Sequence, residues 1–159
     1  MHPQTQNVAA ALAAAGAAGQ VRELTESART AADAAAALGC EVGAIANSLV
    51  FLADGSPVLV LTSGAHRVDP PHLAAQLGVR AVRRATPEQV RAATGQVIGG
   101  VSPVGHPAPV RTLLDEALAA FPVVWAAAGT PHAVFPTTYA ELARICAAEP
   151  VTVAAPMGT

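Results

Sequence analysis

Two apolar runs dominate the hydrophobic pattern, Ile45–Ala53 and residues 57–62, both rich in β-branched side chains and separated by Asp54-Gly55-Ser56. Asp-Gly between such runs signals a hairpin, because a tight reversal needs residues that tolerate positive φ. Shorter stretches at 21–24, 79–82, 96–101 and 123–127 read as further strands, and Val134 with Phe135 begins another. Between them the spacing turns helical. Asn7 is a candidate N-cap for an alanine helix over 7–15, Thr30 caps 31–38, Pro70 and Pro71 open 70–77, and Thr86 with Glu88 and Gln89 opens a helix stopped by Gly95. Gly39 and Gly78 stop the second and third of these, and residues 138–147 form a last amphipathic helix. The segment 110–121 places Leu113, Leu114, Ala117, Leu118 and Phe121 at helical spacing, which predicts a helix there. Strands interleaved with helices and a hairpin give an α+β, mixed α/β class with a mixed sheet.

Composition narrows this picture. The 159 residues include 39 alanines, so the apolar share of 52% overstates how much large side chain is available for a core. Nineteen Val and thirteen Leu still suit one domain over residues 1–159, with an ordered core of about 7–150 and loose ends at 1–6 and 154–159. The most alanine-rich stretch, 8–18, is too short for a membrane span and lacks the basic start of a signal peptide, so a cytoplasmic location is expected and a membrane partner is not. All nine basic residues are Arg and the net charge is −2, which excludes a generally basic wrapper of DNA or RNA. Any nucleic acid must be held locally. Arg80, Arg83, Arg84 and Arg91 form the basic cluster able to hold a few phosphates.

Candidate chemistry is concentrated in Gly99-Gly100-Val101-Ser102-Pro103-Val104-Gly105-His106-Pro107. Paired glycines let a backbone approach a ligand closely, and a rigid Gly/Pro loop can present N–H groups to a carbonyl oxygen or an anion. The same composition also serves a tight connection with no ligand. Cys40 and Cys146 lack metal or redox spacing, and His2, His66, His72, His106 and His132 show neither HExxH nor His-x-His, so no metal and no cofactor are expected. Ser102 lacks the strand–nucleophile–helix context of a serine hydrolase. Ser63, Gly64, His66, Arg67 and Asp69 lie on the loop leaving the hairpin, either lining a cleft or forming a turn with a local ion pair.

Taken together, the hairpin strand AIANSLVF at 44–51, the turn SGAHRVD at 63–69, the loop GGVSPVG at 99–105 and the ending WAAAGTPHAVFPTTYAELARI at 125–145 resemble the YbaK/EbsC family, free-standing relatives of the editing domain of bacterial prolyl-tRNA synthetases. The resemblance implies a mixed, partly closed β-sheet surrounded by helices, with 110–114 a strand and only a short helix from Asp115. It also implies a metal-free aminoacyl-tRNA deacylase, removing a small wrong amino acid such as Ala or Cys from proline tRNA by substrate-assisted attack of water. In that reading Gly99, Gly100, Val101 and Ser102 present backbone donors, and Pro103 and Gly105 shape the loop. Asn47 orients the ester or terminal phosphate, while Ser48, Ser63, Gly64, His66, Arg67, His106 and His132 border the substrate. The expected partner is the tRNA acceptor end, with an aminoacyl-tRNA synthetase as a further candidate.

One departure bears on activity. The family reads Ile-x-Lys-Ser/Thr-Leu where this chain has Ile45-Ala46-Asn47-Ser48-Leu49, so an amide replaces a cation. The alternative reading is a weak or silent homologue that binds the acceptor end or another ligand, and a small-molecule hydrolase or ligand-binding role in the same pocket is a third.

Overall fold

Residues 2–154 are described by a computed structural model. The hairpin forms as its pattern predicts: β2 (Ile45–Ala53) pairs antiparallel with β3 (Ser56–Ser63), from Ala46 opposite Ser63 to Ala53 opposite Ser56. It is the centre of an eight-stranded mixed sheet. On the β3 side follow β5 (Arg111–Asp115) and β8 (Glu149–Val151), both parallel to their neighbours. On the other side β6 (Val124–Ala127) runs parallel to β2, and β7 (Ala133–Thr137) and β1 (Arg22–Glu23) continue antiparallel.

The edge of β2 facing β6 is shared by two strands. Pairing with β6 covers Ile45 and Ala46, whereas β4 (Val82–Arg84) takes Phe51 to Ala53. Residues 47–49 therefore have no ladder partner on that edge, and they are the half-buried part of an otherwise buried strand.

Alternation along β2 and β3 divides the core. Ala46, Val50, Leu52, Leu59 and Leu61 face the larger cluster, under α1 (Pro3–Ala14) and α5 (Tyr139–Ile145), with Val8, Leu12, Leu118, Phe135 and Leu142. Phe51, Val58 and Val60 face a second cluster with Leu73 of α3 (Pro70–Leu77), Val82 and Val151. A third, made largely of alanine, packs α2 (Ala31–Leu38) on Ile45 and Trp125.

Several elements depart from the sequence reading. The first helix starts at Pro3 rather than Asn7, capped by His2, whose Nδ1 accepts the Gln4 N–H at 3.0 Å. Thr5 and Val8 are 1% and 0% exposed, so residues 3–6 are not a loose end; of the other expected end, residues 155–159 lie outside the described residues. The strand expected at 79–82 lies at Val82–Arg84, because the Val79 N–H closes α3 on Ala74 and Asp54 takes the N–H groups of Arg80 and Ala81. No strand forms at 96–101; Gln96 turns inward and ties a loop together instead. Over 110–121 the strand implied by the resemblance forms, followed by a 3-10 turn at Glu116–Ala120. Leu113 and Leu114, 0% and 1% exposed, enter different clusters on opposite faces, which alternation allows and a single helical stripe does not. The short β8 carries Pro150 and gave no pattern; it rests against β5, where Arg111 and Glu149 make a bidentate pair at 2.7 and 3.0 Å.

Candidate functional site

The unpaired stretch of β2 opens into two adjoining hollows. Arg29, Thr30, Ala31, Asn47, Ser48, Gly99 and Val101 form their common wall. The inner one is a cavity of about 40 Å³, lined mainly by alanines (Ala28, Ala34, Ala46, Ala126, Ala127, Ala133) and the indole of Trp125. The outer one, of about 560 Å³, extends over Phe51, His66, Arg67, Val68, Arg84 and Ile98.

Asn47 and Ser48 point to opposite faces of β2 yet border both hollows, because the cleft straddles the strand's open edge. The Ser48 Oγ is buried and has no hydrogen-bond partner among the described residues. Asn47 lies across the hairpin from Thr62, whose hydroxyl donates to Asp115 Oδ2 at 3.3 Å.

The glycine loop meets the cleft at two residues. Gly99, at φ +90°, and Val101 border it, and among the described residues their N–H groups have no acceptor. The other expected donors are used inside the protein. The Gly100 N–H donates to Val97, and a side chain at Gly100 would strike the backbone of Thr130 and Pro131, so this glycine seats the loop on its neighbour. The Ser102 N–H donates to Gln96 Oε1 at 2.6 Å, and Ser102 is 0% exposed, its Oγ accepting the Val104 N–H. A fully buried Gln96 completes the brace by donating to the Val104 carbonyl. Pro103 and Gly105, the latter at φ +82°, shape the turn away from the cleft.

Other candidates are dispersed. Ser63 is a structural residue: its Oγ donates to the Gly43 carbonyl at 2.8 Å and its N–H to Asp115. Gly64 permits contact with Val42 and Ala31 that any side chain would block. His106 donates from Nε2 to the Ser102 carbonyl at 2.8 Å on a separate groove, and burial pushes its pKa below the usual histidine value. His132 is exposed and away from the hollows, its N–H held by Thr130 Oγ1. Of the arginine cluster only Arg84 borders the outer hollow, its guanidinium 5.6 Å from the centre of the Phe51 ring. Arg80, Arg83 and Arg91 do not line it. Cys40 and Cys146 are free thiols, and burial pushes Cys146 up to about 12. No three-member His/Cys/Asp/Glu group able to hold a metal occurs among the described residues.

The structure adds Arg29, Trp125, Gln96 and Asp115 to the residues singled out in the sequence. Arg29 stands against Gly99, with side-chain carbons 3.5 Å from the position a Cβ would take there. Nothing in its local sequence announced this. Asp115 sits on the strand that competed with a helical reading, which hid its pairing with His66.

The profile of the aminoacyl-tRNA editing domain matches residues 25–145, a span that holds the open strand and the glycine loop together. The chain belongs to that family. Among solved structures, a protein described as a proposed trans-editing enzyme for prolyl tRNA synthetase superposes with a TM-score of 0.91 at 43% identity, covering 98% of this chain and 99% of that one. The proline–tRNA ligase of Nitratidesulfovibrio vulgaris (strain DP4) is 36% identical over 94 residues, 59% of this chain but 16% of that enzyme. The editing-family chain thus spans a small part of the ligases it matches. YwhH of Bacillus subtilis (strain 168), an uncharacterized protein, is 32% identical over 125 residues, 78% of this chain and 79% of its own length. As the resemblance implied, the fold is a mixed sheet with helices around it. No helix among the described residues is long and apolar enough to cross a membrane.

Proposed function

We propose that this member of the editing family is an aminoacyl-tRNA deacylase that hydrolyses the ester of a small wrong amino acid, with mischarged proline tRNA as its substrate. The observation that carries this reading is the paired hollow. An inner cavity of about 40 Å³ accommodates about three water-sized groups. That suits the side chain of alanine, serine, cysteine or 2-aminobutyrate. The outer hollow, bordered by Arg29, Arg67 and Arg84, has the charge and room for the terminal nucleotide. The relation of the superposed structure to prolyl-tRNA synthetase supports the choice of tRNA.

In this arrangement the ester lies at the common wall. The Gly99 and Val101 N–H groups receive the carbonyl oxygen as it becomes an oxyanion, a role worth roughly 10²–10³-fold per donor. Asn47 orients the ester or the terminal phosphate through its amide, and the ribose hydroxyl beside the ester positions the attacking water. Arg29, standing against Gly99, supplies a positive charge on the wall where the family's lysine is replaced by Asn47.

Deacylation of proline tRNAs charged with alanine, cysteine, serine and 2-aminobutyrate tests this reading, with wild type compared against Asn47→Lys and a no-enzyme control. Hydrolysis of at least one member by wild type is the expected result. Activity only in the lysine variant would establish the silent, ligand-binding homologue instead, and inactivity of both overturns the deacylase.

A further inference from the structure

The mechanism above leaves open where the proton of the attacking water goes. Asp115 is 2% exposed and accepts four donors: the Thr62 hydroxyl, the N–H groups of Ser63 and Ala117, and His66 Nδ1 at 3.0 Å. The His66 side chain is 45% exposed and borders the outer hollow. Nδ1 is held by a buried carboxylate, and among the described residues Nε2 has no hydrogen-bond partner. A row of contacts runs from the open strand to the pair: Asn47 lies opposite Thr62 in the hairpin, Thr62 donates to Asp115, and Asp115 holds His66, which borders the same outer hollow as Asn47, Gly99 and Val101.

We propose that His66 is the proton-handling catalytic residue of the cleft and that Asp115 is its positioning residue. This assignment rests on the deacylase reading and deepens it. Water loses a proton to His66 Nε2 as its oxygen bonds to the ester carbonyl carbon. The tetrahedral intermediate then collapses, the acyl C–O bond breaks, and His66 returns the proton to the departing ribose oxygen. The amino acid leaves as a carboxylate and releases one proton to solvent. No oxidant, metal or further reactant is required. The charged groups around His66 are Asp115 of β5, the adjacent Arg67, and Arg29 and Arg84 across the hollow. Asp115 fixes the orientation of the ring through its bond to Nδ1.

Single-turnover deacylation across a pH series tests the assignment, with tRNA affinity read from the fluorescence of Trp125, the chain's one tryptophan. His66→Gln lowers kcat about 10²-fold, abolishes the acid limb of the pH profile and leaves tRNA affinity unchanged. Asp115→Asn gives a smaller loss of kcat at unchanged affinity, a split that a merely structural role does not produce. His72→Gln, whose ring contacts Thr152 outside the cleft, is the histidine control with wild-type rates. Wild-type turnover with an unaltered acid limb in His66→Gln overturns the assignment and leaves the deacylase standing. Weakened affinity with the limb retained also overturns it, making His66 a binding residue. Wild type inactive on every charged tRNA defeats the deacylase reading itself, visible before any variant is made, and this assignment falls with it.

Discussion

At the scale of single residues, the inner hollow depends on what is small around one side chain that is large. Trp125, half-buried on β6, is the largest side chain bordering a space to which seven alanines contribute. A pocket of this kind rejects longer side chains sterically while discriminating poorly among smaller ones. Trp125→Ala should therefore broaden the range: relative hydrolysis of tRNA charged with valine or leucine rises by roughly 10-fold or more, the scale set by one or two methylenes in an apolar pocket. A competition assay between alanyl- and leucyl-tRNA reads this directly, and an unchanged ratio would mean that Trp125 does not set the size limit. Gly99 was legible because it belongs to a short motif, and Asn47 because it stands where the family pattern has a lysine. Arg29 and Trp125 were not, since their role comes from folding distant segments onto one wall. Ser102 shows the converse: its place in a motif suggested a donor, but its N–H is taken by a buried glutamine six residues back.

Among the elements, the glycine loop is one whose sequence signal was misread in kind. Val97 and Ile98 invited a strand, yet they are 44% and 45% exposed, and the order of the loop comes from Gln96 rather than from a ladder. Gln96→Ala leaves the Ser102 N–H and the Val104 carbonyl buried without partners, at a cost of about 1–3 kcal/mol for each group that stays unsatisfied. The expected outcome is a lower denaturation midpoint together with a deeper loss of turnover, because the same loop carries Gly99 and Val101. Stability intact in a chemical-denaturation curve would remove the brace from the account. The hairpin and the capped helices were readable for the opposite reason: turn chemistry and caps are local. The helices stopped by Gly39, Gly78 and Gly95 end where those glycines stand. Where the outcome depended on partners remote in sequence, as for β5 and β8, local spacing was silent or favoured a helix.

For the molecule as a whole, stability should carry a signature of acid. Burial lowers the pKa of His106, while its bond to the Ser102 carbonyl partly opposes this. The unfolded chain then binds more protons than the native one below the ordinary histidine pKa of about 6.5. The contribution is fully present above that value and is lost as pH falls through the depressed native one. His106→Gln should flatten this part of the unfolding free energy against pH, measured by urea titration between neutral and mildly acidic solution; an unaltered slope would assign the acid sensitivity elsewhere. Such a linkage could not be read from the sequence, where His106 was one of five similar candidates. The same holds for the interruption in β2. A strand edge normally invites a neighbouring chain to add itself, and proteins guard such edges with charge, bulges or cover. Here β6 and β4 cap the opening from both ends, so only residues 47–49 are bare. Three residues span about 10 Å, too little for a foreign strand to settle. The fold thereby leaves a short bare stretch of strand at the cleft while denying it to polymerising copies of itself.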